Sequence, residues 1–138
     1  MGSRRSVIAM PLVVLALATC LASGGAAASA AVPAGSYTTV QAAAGAKAFA
    51  TSCASCHGAK LQGGIGPTLK GSQAPFRGTQ HAGEVYNYIR TQMPLGKPGS
   101  LAPATYAAIL AYLLQQNGHR AGSRALTPAI AARSREKM

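Results

Sequence analysis

The sequence predicts a small all-α domain of three to four helices wrapped around one buried prosthetic group. Three observations carry that expectation. Apolar residues recur at helical spacing in three segments, and no strand-like alternation persists long enough to build a sheet. Bulky residues are scarce: aromatics make up 5% of the 138 residues and Trp is absent, so apolar burial alone leaves a marginal core. A flat cofactor at the centre would supply the missing interior. Finally, Cys53-Ala54-Ser55-Cys56-His57 gathers two thiols and an imidazole within about one helical turn.

Taken in order, the chain opens with a leader. Arg4 and Arg5 precede an apolar run of 15 residues, 7–21, and Ala28-Ser29-Ala30 fits an A-x-A cleavage site. The run is shorter than the roughly 20 apolar residues that span a bilayer. Residues 1–30 are therefore expected to be a cleaved export signal, with the mature chain starting near Ala31. Two variants stay open. One is an uncleaved signal-anchor; the other is lipidation of Cys20, since Leu17-Ala18-Thr19-Cys20 loosely resembles a lipobox with a poorly fitting Thr19. Export points to the periplasm, an oxidising space.

Residues 31–39 are expected as a flexible segment, 40–118 as the folded domain and 119–138 as a basic, mobile tail. The first helix is expected over 40–56, in Ala-rich sequence of good propensity, with Gly45 and Phe49 on one face. A second is expected over 82–91, with Val85, Tyr88 and Ile89 as its apolar stripe and Glu84 in the first turn, where it suits the dipole. The third is the clearest. Pro103 starts it, Tyr106, Ile109, Leu110, Leu113 and Leu114 repeat at helical spacing, and Asn117-Gly118 stops it. Between the first two lies a Gly/Pro-rich loop, 58–78, too long for a compact domain unless it wraps something. Within the tail, 127–132 reads as a short helix suited to a partner or a membrane.

C-x-x-C-H is the attachment signature of a c-type haem. Two thiols add across the porphyrin vinyl groups, and His57 then lies under the iron as proximal ligand. Export agrees with this, because c-type haem is attached in that oxidising space. The rival is a haem-free thiol oxidoreductase using Cys53 and Cys56. That class sits on a βαβ pattern, and none is visible.

Over roughly residues 45–118 the chain resembles the class I, monohaem, all-α cytochromes c. The matching pieces come in the family's order: Gly45-x-x-x-Phe49, Cys53-x-x-Cys56-His57-Gly58, Gly66-Pro67-x-Leu69, Met93-Pro94 and Ala111-Tyr112. The resemblance implies that Gly45 and Phe49 cross the last helix near Tyr112. It also implies that the Pro67 carbonyl accepts from the Nδ1–H of His57, and that Leu69 packs on the haem face. More narrowly, residues 93–101 and 113–118 look like those of bacterial cytochromes found with, or fused to, quinoprotein dehydrogenases.

Met93 is the expected second iron ligand. A residue before proline is driven toward extended backbone, which holds this thioether on a loop. The bland alternative is a core Met closing the second helix. His81 is the runner-up ligand, while His119 and Met138 belong to the polar tail.

Past residue 30 there are 11 Lys and Arg against two acids, Glu84 and Glu136. Export removes nucleic acid as a partner, so the bias points to acidic redox proteins or an anionic membrane surface. Lys47, Lys60, Lys70, Arg77, Arg90 and Lys97 cluster in sequence around the haem-bearing segments, and some of them are expected to ring an exposed haem edge and steer docking. The expected function is a periplasmic electron carrier, not an enzyme, with one haem c held by Cys53 and Cys56. It would pass electrons from a quinoprotein dehydrogenase or quinol-oxidising complex to a terminal oxidase or another cytochrome. The alternative is a haem enzyme or a gas or redox sensor, should Met93 leave the sixth position open.

Overall fold

The computed structural model describes Gly2 and residues 35–138. The expected leader, its cleavage site and Cys20 lie outside the described residues. Among the described residues every regular element is helical: α1 (Thr39–Ser52), α2 (Ala54–His57), α3 (Ala82–Gln92), α4 (Pro103–Gln116) and α5 (Pro128–Arg133). An isolated antiparallel bridge joins His81 to Lys137. The all-α expectation holds.

Local chemistry sets the helix ends. Thr38 caps α1, its hydroxyl accepting from the Gln41 N–H at 3.1 Å. The single helix expected over 40–56 is two helices, because Cys53 departs from helical geometry at φ −128°, ψ −29°. Its N–H closes α1 on the Phe49 carbonyl, and its own carbonyl accepts from His57 to open α2. Glu84 reaches back to the His81 N–H at 2.8 Å, satisfying a donor ahead of α3. Pro103 begins α4, and Gly118 takes up φ +90° just past its end.

Helices α1 and α4 make the central contact. A Cβ on Gly45 would lie 1.8 Å from the Ala108 carbonyl oxygen, so only a missing side chain permits this approach. One turn along, the Phe49 and Tyr112 rings stand 5.5 Å apart, tilted by 54°. This is the crossing that the family resemblance implied.

Three expectations need correcting. On α3 the inward residues include Tyr86, while Tyr88 is 55% exposed. The helix packs on two sides, not one. The Tyr86 hydroxyl donates to the Pro103 carbonyl at the start of α4, and the Gly83 N–H donates to the Ser134 carbonyl at 3.0 Å.

The second correction concerns 119–138, which form a packed strap where a mobile tail was expected. Leu126, Ala131 and Met138 are buried. The strap supplies acceptors for the unpaired N–H groups that any helix start presents. Ala82 N–H donates to the Glu136 carbonyl at 2.7 Å, and Met138 and Gln80 pair at 3.1 Å. His119, expected in solvent, is half-buried with its Nδ1 2.9 Å from Glu136, whose other oxygen accepts from the Ser36 hydroxyl.

Third, residues 35–39, expected as flexible, form the other side of this clasp. Tyr37 is buried and donates to the His119 carbonyl at 2.5 Å. Gln41 exchanges two hydrogen bonds with the backbone of Leu126, at 2.7 and 2.8 Å.

Candidate functional site

A cavity of about 350 Å³ opens on the side of α4 that carries Tyr106, Ile109 and Leu113. Phe49 of α1, Ile89 of α3 and Leu101 complete its apolar wall. All six residues expected at a cofactor site line it: Cys53, Cys56, His57, Pro67, Leu69 and Met93. Two other candidates do not. His81 sits at the start of α3, 3.7 Å from Glu84, and His119 is held in the strap.

His57 is the best-fixed polar group of the cavity. Its Nδ1 lies 2.8 Å from the Pro67 carbonyl, which can only accept, so this nitrogen carries the proton. The lone pair of Nε2 is thereby left for a ligand, and the ring is held in one orientation. Gly66 makes the contact possible. A Cβ there would meet the imidazole at 2.8–2.9 Å, so the chain passes flat against the ring before Pro67 turns its carbonyl inward. Backbone bonds hold the rest of this loop, with Gly66 N–H on the Cys56 carbonyl and Gly63 N–H on that of His57.

Cys53 and Cys56 are unpaired, with no disulfide between them. Burial, reinforced by the neighbouring Cys56, pushes the Cys53 thiol up to about 11. Thioether formation asks that both sulfurs reach the cavity, and both cysteines line it.

Met93 closes α3 in extended backbone, φ −124°, ψ 153°, as expected of a residue before proline. Its carbonyl accepts from the Tyr106 hydroxyl at 2.7 Å.

Two residues of the site read only as helix pattern in the sequence. Tyr106 is one. The other is Asn117, which looked like a stop signal and is a buried tether. Its side chain donates to the carbonyls of Leu69 and Leu113 at 3.0 and 2.9 Å, and accepts from Gly71 N–H at 3.1 Å. It thus fixes the Leu69 side of the cavity to the end of α4. An Asn beside Gly signals a helix end, but nothing in the sequence reveals a partner 48 positions away.

The residues present fit a haem. They offer an apolar slot, two thiols at its wall and an oriented imidazole with a free lone pair.

The family model described as cytochrome c oxidase, cbb3-type, subunit III, matches residues 40–113. No curated protein matches the chain. Among solved structures, a chain of the sulfane dehydrogenase SoxCD from Paracoccus pantotrophus is similar, at 32% identity and a TM-score of 0.52. The match covers 66% of this chain and 50% of that one, so this chain corresponds to about half of its length. Sequence motif, helical fold and family match converge: the chain belongs to this cytochrome c family, as a monohaem class I domain whose haem c is covalently attached at Cys53 and Cys56.

Proposed function

We propose that this chain is a periplasmic electron carrier, not an enzyme, with His57 and Met93 as its two axial ligands. A cytochrome c domain implies electron transfer. Bound haem c supplies a one-electron iron couple. What the chain adds is enclosure. The observation that carries the reading is that His57 and Met93 line one cavity, from separate elements and with both backbones tied down. With both side chains committed to the metal no position is left for substrate, and His/Met ligation raises the potential.

The lip of the cavity suits brief docking. Ile65 and Leu95 line it and yet are 89% and 83% exposed. Lys60, Lys70 and Lys97 are exposed on the same two loops. Both acids of the domain are engaged elsewhere, Glu84 ahead of α3 and Glu136 with His119. A basic surface with an apolar centre fits acidic redox proteins, a dehydrogenase or quinol-oxidising complex as donor and an oxidase or cytochrome as acceptor. Similarity to a dehydrogenase chain supports the donor side. The leader pattern within residues 1–30 supports export.

The ferric absorption spectrum of the haem-loaded protein tests the ligation. A weak sulfur-to-iron band should be present in wild type and absent in Met93→Ala. Its survival in that variant would remove Met93 from the iron and with it this reading.

A further inference from the structure

We propose that the Tyr106 hydroxyl is the positioning group that holds the Met93 loop against the cavity, an inference that rests on Met93 being the second iron ligand. The loop runs from Met93, where α3 ends, to Ala102, just before α4. Among the described residues its hydrogen bonds are few. Lys97 N–H donates to the Pro94 carbonyl at 2.9 Å and Ser100 N–H to that of Lys97 at 3.3 Å, both within the loop. At its ends the Met93 N–H closes α3 on the Ile89 carbonyl at 3.1 Å and the Ala102 carbonyl opens α4; its side-chain ties to α4 both end on one atom. The Tyr106 oxygen donates to the Met93 carbonyl at 2.7 Å and accepts from the Leu101 N–H at 3.4 Å.

One hydroxyl, with one proton and two lone pairs, therefore clamps both ends of the loop. Its ring is 2% exposed and lines the cavity, so the oxygen has no freedom to follow a departing loop. The support is rigid too, because Tyr106 stands two residues before Ala108, where α4 meets Gly45 of α1. Deleting the hydroxyl leaves packing intact. It removes the acceptor's partner at the very residue whose side chain must stay at the metal. The Met93 thioether should then leave more often, with the ring and the core unchanged.

Displacement of Met93 by added imidazole, followed as loss of the sulfur-to-iron band in the ferric, haem-loaded full chain, tests this. Tyr106→Phe should react about tenfold faster than wild type, the factor expected for one ordinary buried hydrogen bond. Tyr86→Phe is the matched control. It also deletes a hydroxyl that bonds a carbonyl, that of Pro103 at 3.2 Å, but does not touch the Met93 loop. Its rate should stay near wild type. An unchanged rate in Tyr106→Phe overturns the proposal and leaves Met93 ligation standing. Equal acceleration in both variants also overturns it, as general loosening. A wild-type protein without the band removes the ligation reading first and the proposal with it. Should Tyr106→Phe fail to fold, proton exchange of the Tyr106 hydroxyl in the wild-type protein decides. Slow exchange supports the clamp, and exchange as fast as that of an exposed phenol overturns it.

Discussion

The two sides of α3 are built by different means. Toward the cavity, side chains do the work: a histidine fixed by one carbonyl, a methionine fixed by one hydroxyl, an asparagine with three bonds. On the strap side, N–H groups at the start of α3 pair with strap carbonyls, side chains such as Gln41, Tyr37 and Glu136 clasp its far edge, and the buried apolar residues are a scattered Leu126, Ala131 and Met138. The first arrangement positions chemistry. The second completes a small core and satisfies a helix start.

That difference can be broken deliberately. The largest expected effect is on the strap side. Leu126→Ala should cost about 2–4 kcal/mol of stability, because a fully buried leucine leaves a cavity that the strap cannot close. Thermal unfolding would show the loss while the ferric spectrum stays that of wild type. A changed spectrum would mean that the strap reaches the metal after all.

Gly66→Ala sharpens the contrast from the other side. The new methyl would press on the His57 ring, at a cost of about 1–3 kcal/mol. Here the spectrum and the potential should change together with stability, since the loop must lift Pro67 away from Nδ1. Unaltered optical features would show that the imidazole is not oriented by this contact.

The smallest effect is a pH dependence. Burial, with the Glu136 carboxylate adding to it, raises the Tyr37 phenol above its ordinary range. The folded chain thus holds that proton more tightly than the unfolded chain. The corresponding stability is full below about pH 10, where an unfolded tyrosine begins to ionise, and is lost as pH rises through the folded value. Stability against denaturation should fall more steeply between pH 8 and pH 11 for wild type than for Tyr37→Phe. Parallel curves would contradict the assignment.

Much of the cavity side was legible in the sequence, and the reason is local spacing. Cys53, Cys56 and His57 announce themselves within five residues, and Pro67 and Met93 stand in the family's order behind them. The third helix was legible because Pro103, its apolar repeat and Gly118 agree with one another. The strap was not. Its buried residues lie among arginines at no regular period, and its main contacts are N–H to carbonyl bonds that any residue can make. Tyr86 is not legible as a core residue for a related reason. A stripe drawn for a helix with one buried side omits the residues that a second neighbour covers, and Val85 alone could not show that α3 has two. Asn117 and Tyr106 were visible as residues but not as tethers, because their partners are fixed only by the fold.

The most direct test of the account is exposure of the ferrous, haem-loaded protein to carbon monoxide. With both His57 and Met93 on the iron, the wild-type spectrum should remain unchanged, while Met93→Ala should bind the gas at once. Rapid binding by the wild-type protein would contradict a closed electron-transfer centre and would make this a ligand-binding haem site instead.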